Sequence, residues 1–191
     1  KPASDPVSTT DFVFGTLAVT YEPRKGIDLL LKAIRKLKDR KINVKFKIGG
    51  GNKDNDYINL KKLEDELQVS DYVEWFDKIN RADVVKFMQS CDCFVMPSLS
   101  ESFGTVYIEA IACGKPVIAT KCGGPESIVD DSIGLLVNVG DVDDLVDALI
   151  HMIEHKSDYS EEICRNYFLD HFSKQVVTKQ YMHLYNNVVN K

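Results

Sequence analysis

Short apolar runs and longer amphipathic segments alternate along this chain. The run "FVFGTLAV" (12–19) is apolar and rich in β-branched residues, which predicts a strand. The following segment, "RKGIDLLLKAIRKLKDR", predicts a helix because Ile27, Leu30 and Leu31 begin a series at helical spacing. "NVKFKIGGG" (43–51) then predicts a second strand, and residues 55–69 predict a second helix. The chain therefore opens with a strand–helix unit that is repeated.

The alternation of predicted strands and helices continues through the centre of the chain. "YVEWF", "CFVMP", "KPVIAT" and "GLLV" predict four more strands, separated by helical segments that include "ADVVKFMQSC" and "PESIVD". From Asp141 onward the pattern is helical only, with Asp141 and Ser173 as predicted N-caps. Because parallel strands need crossover connections, about six strands separated by helices predict an α/β, Rossmann-like, doubly wound parallel sheet with a helical C-terminal tail.

One predicted strand differs from the others. In "VKFKI" lysines alternate with apolar residues, whereas a central parallel strand is apolar on both faces. We expect this strand to lie near an edge of the sheet, or its lysines to extend along the surface towards water.

Composition narrows the class of protein. A net charge of −5 and 44% hydrophobic residues are ordinary for a globular domain and give no sign of nucleic-acid binding. No apolar run approaches the roughly 18 residues of a membrane span. The five cysteines show no disulfide or metal spacing, which indicates reduced thiols and a cytoplasmic location.

The N-terminal residues read as a linker. Residues 1–11 contain two prolines and several Ser and Thr residues, lack a starting methionine, and have no signal-peptide core. We expect residues 1–11 to be a linker, residues 12–191 to form one domain, and the chain to be part of a longer protein.

Candidate chemistry concentrates in "PSLSESFGTVYIEAIACGKPVIAT" (97–120). A strand should end near Pro97 and a helix begin near Ser102 or Phe103, with Ser102 as a possible cap. In a doubly wound sheet ligands bind at this end of the strands. Gly104 and Thr105 would leave N–H groups free at the positive end of the helix dipole, which suits a phosphate.

Two carboxylates flank that helix start. Glu109 should lie about seven residues into the helix, roughly 10 Å along its axis, which suits the vicinal hydroxyls of a ribose. Glu101, on the loop, could hold the hydroxyls of a second sugar. Phosphate between two hydroxyl-bearing groups describes a nucleotide-sugar. The alternative interpretation is that Ser102 simply caps the helix and that both acids are solvated.

Cations on another loop support the ligand interpretation. "YEPRKGIDLL" places Arg24 and Lys25 between a strand and a helix, where they could neutralise a diphosphate. Cations at a helix N-terminus oppose its dipole, which favours a functional reason for them over a merely solvated basic face.

Together these segments resemble the C-terminal donor-binding domain of GT-B glycosyltransferases, of the retaining family four. The resemblance covers about residues 12–185. "PSLSESFGTVYIEAIACGKPVIAT" followed by "GGPESIVDDSIGLLV" is similar to that family's donor signature, which reads acid, seven residues, acid, then a small residue before Gly-x-Pro. "EPRKG" and "YVEWF" occur in the matching order.

The resemblance implies roles for particular residues. The catalytic positions would be Glu101, Lys25 and Arg24. The substrate-binding positions would be Gly15, Thr16, Lys78, Ile79, Ser102, Phe103, Gly104, Thr105 and Glu109. Among these, Glu101 would contact the donor sugar, Glu109 the ribose, and Lys78 and Ile79 the base. Such enzymes typically act on a nucleotide-diphosphate sugar without a cofactor or metal ion.

The resemblance also implies a missing half. GT-B enzymes close two domains around the reaction, and an N-terminal domain, absent here, would carry most of the acceptor site and any membrane contact. We therefore expect the chain alone to bind donor weakly and to transfer little sugar. The acceptor, a glycan, lipid or polysaccharide, stays open.

Two other functions remain possible at this stage. One is another GT-B-like sugar-nucleotide enzyme, such as an epimerase, and the other is a non-catalytic nucleotide-sugar binding module. A dinucleotide oxidoreductase is disfavoured because no G-x-G-x-x-G follows the first strand.

Overall fold

The computed structural model describes residues 12–51 and 53–189, so the predicted linker at residues 1–11 lies outside the described residues. Six strands alternate with helices along the described chain. The strands are β1 (Val13–Ala18), β2 (Lys45–Gly50), β3 (Val73–Trp75), β4 (Cys93–Met96), β5 (Val117–Thr120) and β6 (Gly134–Val137).

The helices occupy the segments that the apolar spacing predicts. They are α1 (Ile27–Asp39), α2 (Asn55–Leu67), α3 (Val84–Gln89), α4 (Thr105–Ala112), α5 (Val142–Glu154), α6 (Glu161–His171) and α7 (Lys174–Val189). Asp141 caps α5 by accepting hydrogen bonds from two backbone N–H groups, and the Ser173 hydroxyl accepts from the N–H of Val176 at the start of α7. Both predicted caps are confirmed. Within the described residues, no helix combines the length and apolarity needed to cross a membrane.

The strands form one parallel sheet in the order β3-β2-β1-β4-β5-β6. The chain first builds outward from β1 to β3 and then returns to build from β4 to β6 on the other side. This order is that of a doubly wound Rossmann-like sheet, and the predicted fold class is confirmed. The reversal between β1 and β4 opens a crevice at the carboxyl ends of these two strands.

The sheet is buried on both faces, which explains its apolar strands. In β4, Cys93 and Val95 pack into the core on one side of the sheet, where α1, α2 and α5 lie. Phe94 and Met96 point to the opposite core, formed with α3, α4 and α6. Alternation of side chains along a strand therefore supplies both cores from one short apolar run.

The lysines of β2 are accommodated in both expected ways. The strand lies one position from the edge, beside the short β3. Lys45 reaches the Asp71 carbonyl at 2.5 Å, and Lys47 reaches the Ser90 hydroxyl at 3.0 Å. The long side chains thus carry their charge to polar groups at the surface.

The start of α4 differs from the prediction. The helix begins at Thr105 with Gly104 as its N-cap, and no side chain caps it, so the prediction that Ser102 caps this helix is wrong. Glu109 is consequently the fifth helical residue, about 6 Å along the axis from Thr105 instead of 10 Å. The later start brings Glu109 closer to the helix N-terminus.

Candidate functional site

A cleft of about 640 Å³ lies outside the carboxyl ends of β1 and β4. It occupies the point where the strand order reverses, which is where doubly wound sheets bind ligands. Its lining residues come from four segments, within 17–25 from β1 and its loop, 50–51 at the end of β2, 78–84 after β3, and 96–109 from β4 into α4. Loops from four adjacent strands therefore face one space.

The N-terminus of α4 opens onto this cleft. Gly104 has φ +93°, and a Cβ added there would lie 2.5 Å from the Tyr107 ring, so glycine alone fits this turn without displacing a buried side chain. The N–H groups in the first turn of a helix have no helical partner, and both Thr105 and Val106 line the cleft. The helix dipole is positive here, so this end favours an anion such as a phosphate.

Contacts between two loops fix the shape of the cleft. The Leu99 N–H donates to the Arg24 carbonyl at 2.7 Å, which joins the loop after β4 to the loop after β1. The Lys25 ammonium donates to Glu101 at 2.7 Å, with both side chains largely buried. On its other side, the Glu101 carbonyl accepts from the Gly124 N–H at 2.9 Å. Glu101 and Lys25 are thus held in place at the cleft wall.

Arg24 is also held by a carboxylate. Its Nε donates to Glu22 at 2.6 Å, and the Thr20 hydroxyl donates to the same carboxylate at 3.0 Å. These two hydrogen bonds lower the pKa of Glu22, the one from Arg24 having the larger effect. The terminal nitrogens of Arg24 remain able to donate to a ligand, because the bond to Glu22 uses Nε.

Eight of the predicted site residues are brought together around the cleft. Glu109 lines it as an exposed side chain, further along α4 than the free N–H groups. Lys78 and Ile79 line it from the loop after β3. The complete group is Arg24, Lys25, Lys78, Ile79, Glu101, Gly104, Thr105 and Glu109.

Four predicted residues lie elsewhere. Gly15 and Thr16 are buried inside β1, where the Thr16 hydroxyl donates to the Val95 carbonyl at 2.6 Å, so neither faces the cleft. Because β1 continues to Ala18, Gly15 and Thr16 lie within the strand and not at its carboxyl end. Ser102 and Phe103 are exposed on the loop before α4 and do not line the cleft.

Several lining residues were missed by the sequence reasoning. Gly50 and Gly51 line the cleft at the end of β2, and the glycine run at residues 49–51 was a signal that a backbone or ligand approaches closely there. Arg81 lines it from the loop after β3. A single arginine in a polar loop carries no sequence signal of its own.

A smaller cavity of about 170 Å³ adjoins the cleft across Gly50 and Gly51. The Tyr21 hydroxyl there is buried and has no hydrogen-bond partner among the described groups. Burial, and to a lesser degree nearby Tyr57 and Asp77, raise the pKa of Tyr21 far above its ordinary value. Asp77, in the same lining, pairs with Lys53 at 2.6 Å. Across residues 12–51 and 53–189, no three His, Cys, Asp or Glu side chains are grouped so as to hold a metal ion.

The fold and cleft define a doubly wound α/β domain with an anion-favouring helix N-terminus at its topological switch point. The family model for glycosyl transferases group 1 matches residues 8–167, so the chain belongs to that family. An uncharacterised glycosyltransferase of Methanocaldococcus jannaschii is 34% identical over 149 residues, which is 76% of this chain and 40% of that protein. A D-inositol 3-phosphate glycosyltransferase of Mycolicibacterium smegmatis is 35% identical over 139 residues, 71% of this chain and 31% of that protein.

Solved structures share the fold. A sucrose-phosphate synthase of Thermosynechococcus elongatus superposes with a TM-score of 0.79 at 24% identity, over 94% of this chain and 46% of that one. HepE of Anabaena in complex with UDP-glucose gives 0.78 at 26% identity, over 93% and 49%. The chain thus spans less than half the length of these relatives and structures.

Proposed function

We propose that this chain binds a nucleotide-diphosphate sugar in the cleft and serves as the donor half of a retaining glycosyltransferase. The observation that carries the proposal is the convergence at the switch point of a free helix N-terminus, the Lys25–Glu101 pair and Glu109. Groups suited to bind phosphate, to neutralise its charge and to accept hydrogen bonds from hydroxyls therefore line one cleft, and a nucleotide-diphosphate sugar needs all three. The complex of HepE with UDP-glucose supports the same class of ligand.

Each group has a distinct task in this proposal. The N–H groups of Thr105 and Val106 hold the diphosphate, while Arg24 and Lys25 balance the charge that builds on it as the sugar leaves. A carboxylate cannot share that phosphate without repulsion, so Glu109, about 6 Å along α4, accepts from the ribose hydroxyls. Glu101 holds the hydroxyls of the sugar that is transferred. With these cations and the helix dipole, the cleft needs no metal ion to bind the donor.

The transfer itself requires a second domain in this proposal. The acceptor, a glycan, lipid or growing polysaccharide, binds to an N-terminal half outside this chain, and any membrane contact lies there too. The 191-residue chain alone therefore transfers little hexose to an acceptor. We place the complete enzyme in the cytoplasm, where nucleotide-sugars are available. An NMR assignment of the product anomer with the complete enzyme tests retention, and an inverted anomer would contradict it.

Calorimetric titration of the 191-residue chain with UDP, GDP, UDP-glucose and GDP-mannose tests donor binding. We expect saturable binding of one nucleotide series, weakened roughly tenfold or more in Glu109→Ala because two hydrogen bonds to a charged acceptor are lost. Glu66→Ala is the matched control, since Glu66 is exposed on α2 and does not line the cleft. Absence of binding by all four compounds would overturn the proposal.

A further inference from the structure

The cleft has a far end, on the opposite side from α4, where the loop after β3 meets α3. The sheet order places β3 three strands from β4, so a ligand held at the N-terminus of α4 extends across the sheet edge to reach it. Ile79 and Val84 provide apolar walls there, and Lys78 and Arg81 provide cations. Apolar walls with polar groups between them suit a flat heterocycle that carries hydrogen-bonding atoms on its edge.

The charged side chains that line this end are cations. The carboxylates that line the cleft among the described residues are Glu101 and Glu109, both from the segment around α4. Asp77 precedes the loop but lines the neighbouring cavity, paired with Lys53. In the described part of the chain, Arg81 takes part in no ion pair, in contrast to Arg24 and Lys25. Among the described residues that line the cleft, the far end thus presents charged donors and no carboxylate acceptor.

We infer that Arg81 reads the nucleobase of the donor and selects a base with a carbonyl oxygen, uracil or guanine, over cytosine or adenine. The inference rests on the proposed function, because it needs a nucleotide in the cleft. A guanidinium has five N–H donors and no acceptor, and it never loses its charge in proteins. It can bond to the O4 of uracil or the O6 of guanine. Cytosine and adenine carry an amino group at the equivalent position, and that group would meet Arg81 donor to donor.

Arg81 is better suited to this task than Lys78. The guanidinium is planar and weakly hydrated, so it can lie along the edge or face of a heterocycle and donate from a fixed fork. The ammonium of Lys78 is a compact, strongly hydrated charge on a flexible stem, which attracts phosphate or carbonyl groups with little regard to direction. Selection between bases that differ in one exocyclic atom requires the directional group.

The test compares nucleotides that differ at that atom. The 191-residue chain is titrated calorimetrically with UDP against CDP, and with GDP against ADP, as wild type, Arg81→Ala and Lys86→Ala. Lys86 is a suitable control because it is a cation on the adjoining helix α3, with a side chain 82% exposed and outside the cleft. We expect the wild type to prefer the carbonyl base of at least one pair by roughly tenfold, the size of one charge-assisted hydrogen bond. Arg81→Ala should bring that ratio close to one, and Lys86→Ala should leave it unchanged.

Different outcomes overturn different claims. Equal weakening of UDP and CDP in Arg81→Ala would show that Arg81 acts as a general positive charge, and a wild-type preference for CDP or ADP would also refute the inference. In both cases the nucleotide still binds and the proposed function stands. If none of the four nucleotides binds, the proposed function itself fails. Thermal unfolding of each variant checks that the fold is intact. The comparison of UDP with GDP shows whether the site prefers a pyrimidine or a purine base.

Discussion

At the scale of single residues, glycines at the loop turns hold the cleft in shape. Gly26 ends the loop after β1 with φ +67°, and a Cβ there would lie 2.0 Å from the Pro97 carbonyl oxygen. The two loops therefore leave no room for a side chain at Gly26, close to the point where the Leu99 N–H donates to the Arg24 carbonyl. Both the proposed phosphate site and the Lys25–Glu101 pair depend on this approach.

Gly26→Ala should therefore destabilise the chain more than an ordinary glycine replacement does. Gly140 is the matched comparison, because its φ is +76° and a Cβ there would meet nothing within 4 Å. We expect Gly140→Ala to cost about 1–2 kcal/mol for the left-handed backbone alone. Gly26→Ala should cost at least about 2 kcal/mol more, because a packed backbone must move. Urea unfolding measures both, and equal losses would show that the two loops separate easily.

At the scale of secondary-structure elements, the strands and helices could be predicted because both follow from local hydrophobic patterns in the sequence. Parallel strands buried on both faces read as apolar runs, and α1 reads as an apolar stripe. The start of α4 could not be predicted in this way. It depends on Gly104 adopting a positive φ against the ring of Tyr107, a tertiary contact that no local spacing reveals. By residue type alone, Ser102 is the predicted cap.

An ion pair joins the segment after α4 to the start of α6. Lys115, which follows α4 and is largely buried, donates to Glu161 at the start of α6 at 2.6 Å. This hydrogen bond, and the attraction of the same charge, lower the pKa of Glu161 from its ordinary 4.5. A lowered pKa means that the stabilisation is present above pH 4.5 and is lost as the pH falls through the lowered value.

Glu161→Gln should consequently destabilise the chain at pH 7 but not in acid. We expect a loss of about 1 kcal/mol at pH 7, kept small because Glu161 is mostly exposed and solvent screens the pair. The difference from wild type should shrink between pH 7 and an acidic pH below the lowered pKa, where the wild-type carboxyl is uncharged like the glutamine. Urea unfolding at both pH values gives the comparison, and a difference independent of pH would contradict the ion-pair explanation.

At the scale of the whole molecule, the last helix, α7, contributes no fully buried residue to the core. None of the residues of α7 is buried, and a row of its side chains forms an apolar surface. The row consists of Tyr181, Met182, Leu184, Tyr185 and Val188. An exposed apolar surface of this kind typically contacts another domain or molecule. The proposed second domain would supply such a contact.

Replacing both Leu184 and Tyr185 by Lys should leave the stability of this chain within about 0.5 kcal/mol, because these side chains are exposed and support no core. The same double variant should reduce any concentration-dependent self-association of the chain, since the apolar surface becomes charged. Thermal unfolding and sedimentation velocity provide the two readings. A large loss of stability would mean that α7 packs on the domain more firmly than the structure indicates.

The cleft could be predicted only in part from the sequence, because some of its lining depends on contacts between segments that are distant in the chain. Glu101, Glu109, Arg24 and Lys25 stand in recognisable spacings at element ends, and the structure gathers them into one space. The contribution of Arg81 depends on how the loop after β3 folds over the end of β2, where Ile79 packs against Gly49. The contact of Ile79 with Gly49 joins residues thirty positions apart in sequence, so no local pattern predicts it.

The most direct test of the central claim, that the cleft holds a nucleotide with Glu109 at its ribose, is a paired titration. UDP and 2′,3′-dideoxy-UDP would be titrated into wild type and Glu109→Ala. If Glu109 accepts from the ribose hydroxyls, wild type should bind UDP roughly tenfold or more tightly than the dideoxy compound, and the variant should bind both about equally. A variant that keeps the full preference for UDP would contradict the assignment of Glu109 to the ribose, because some other group would then bind the ribose hydroxyls.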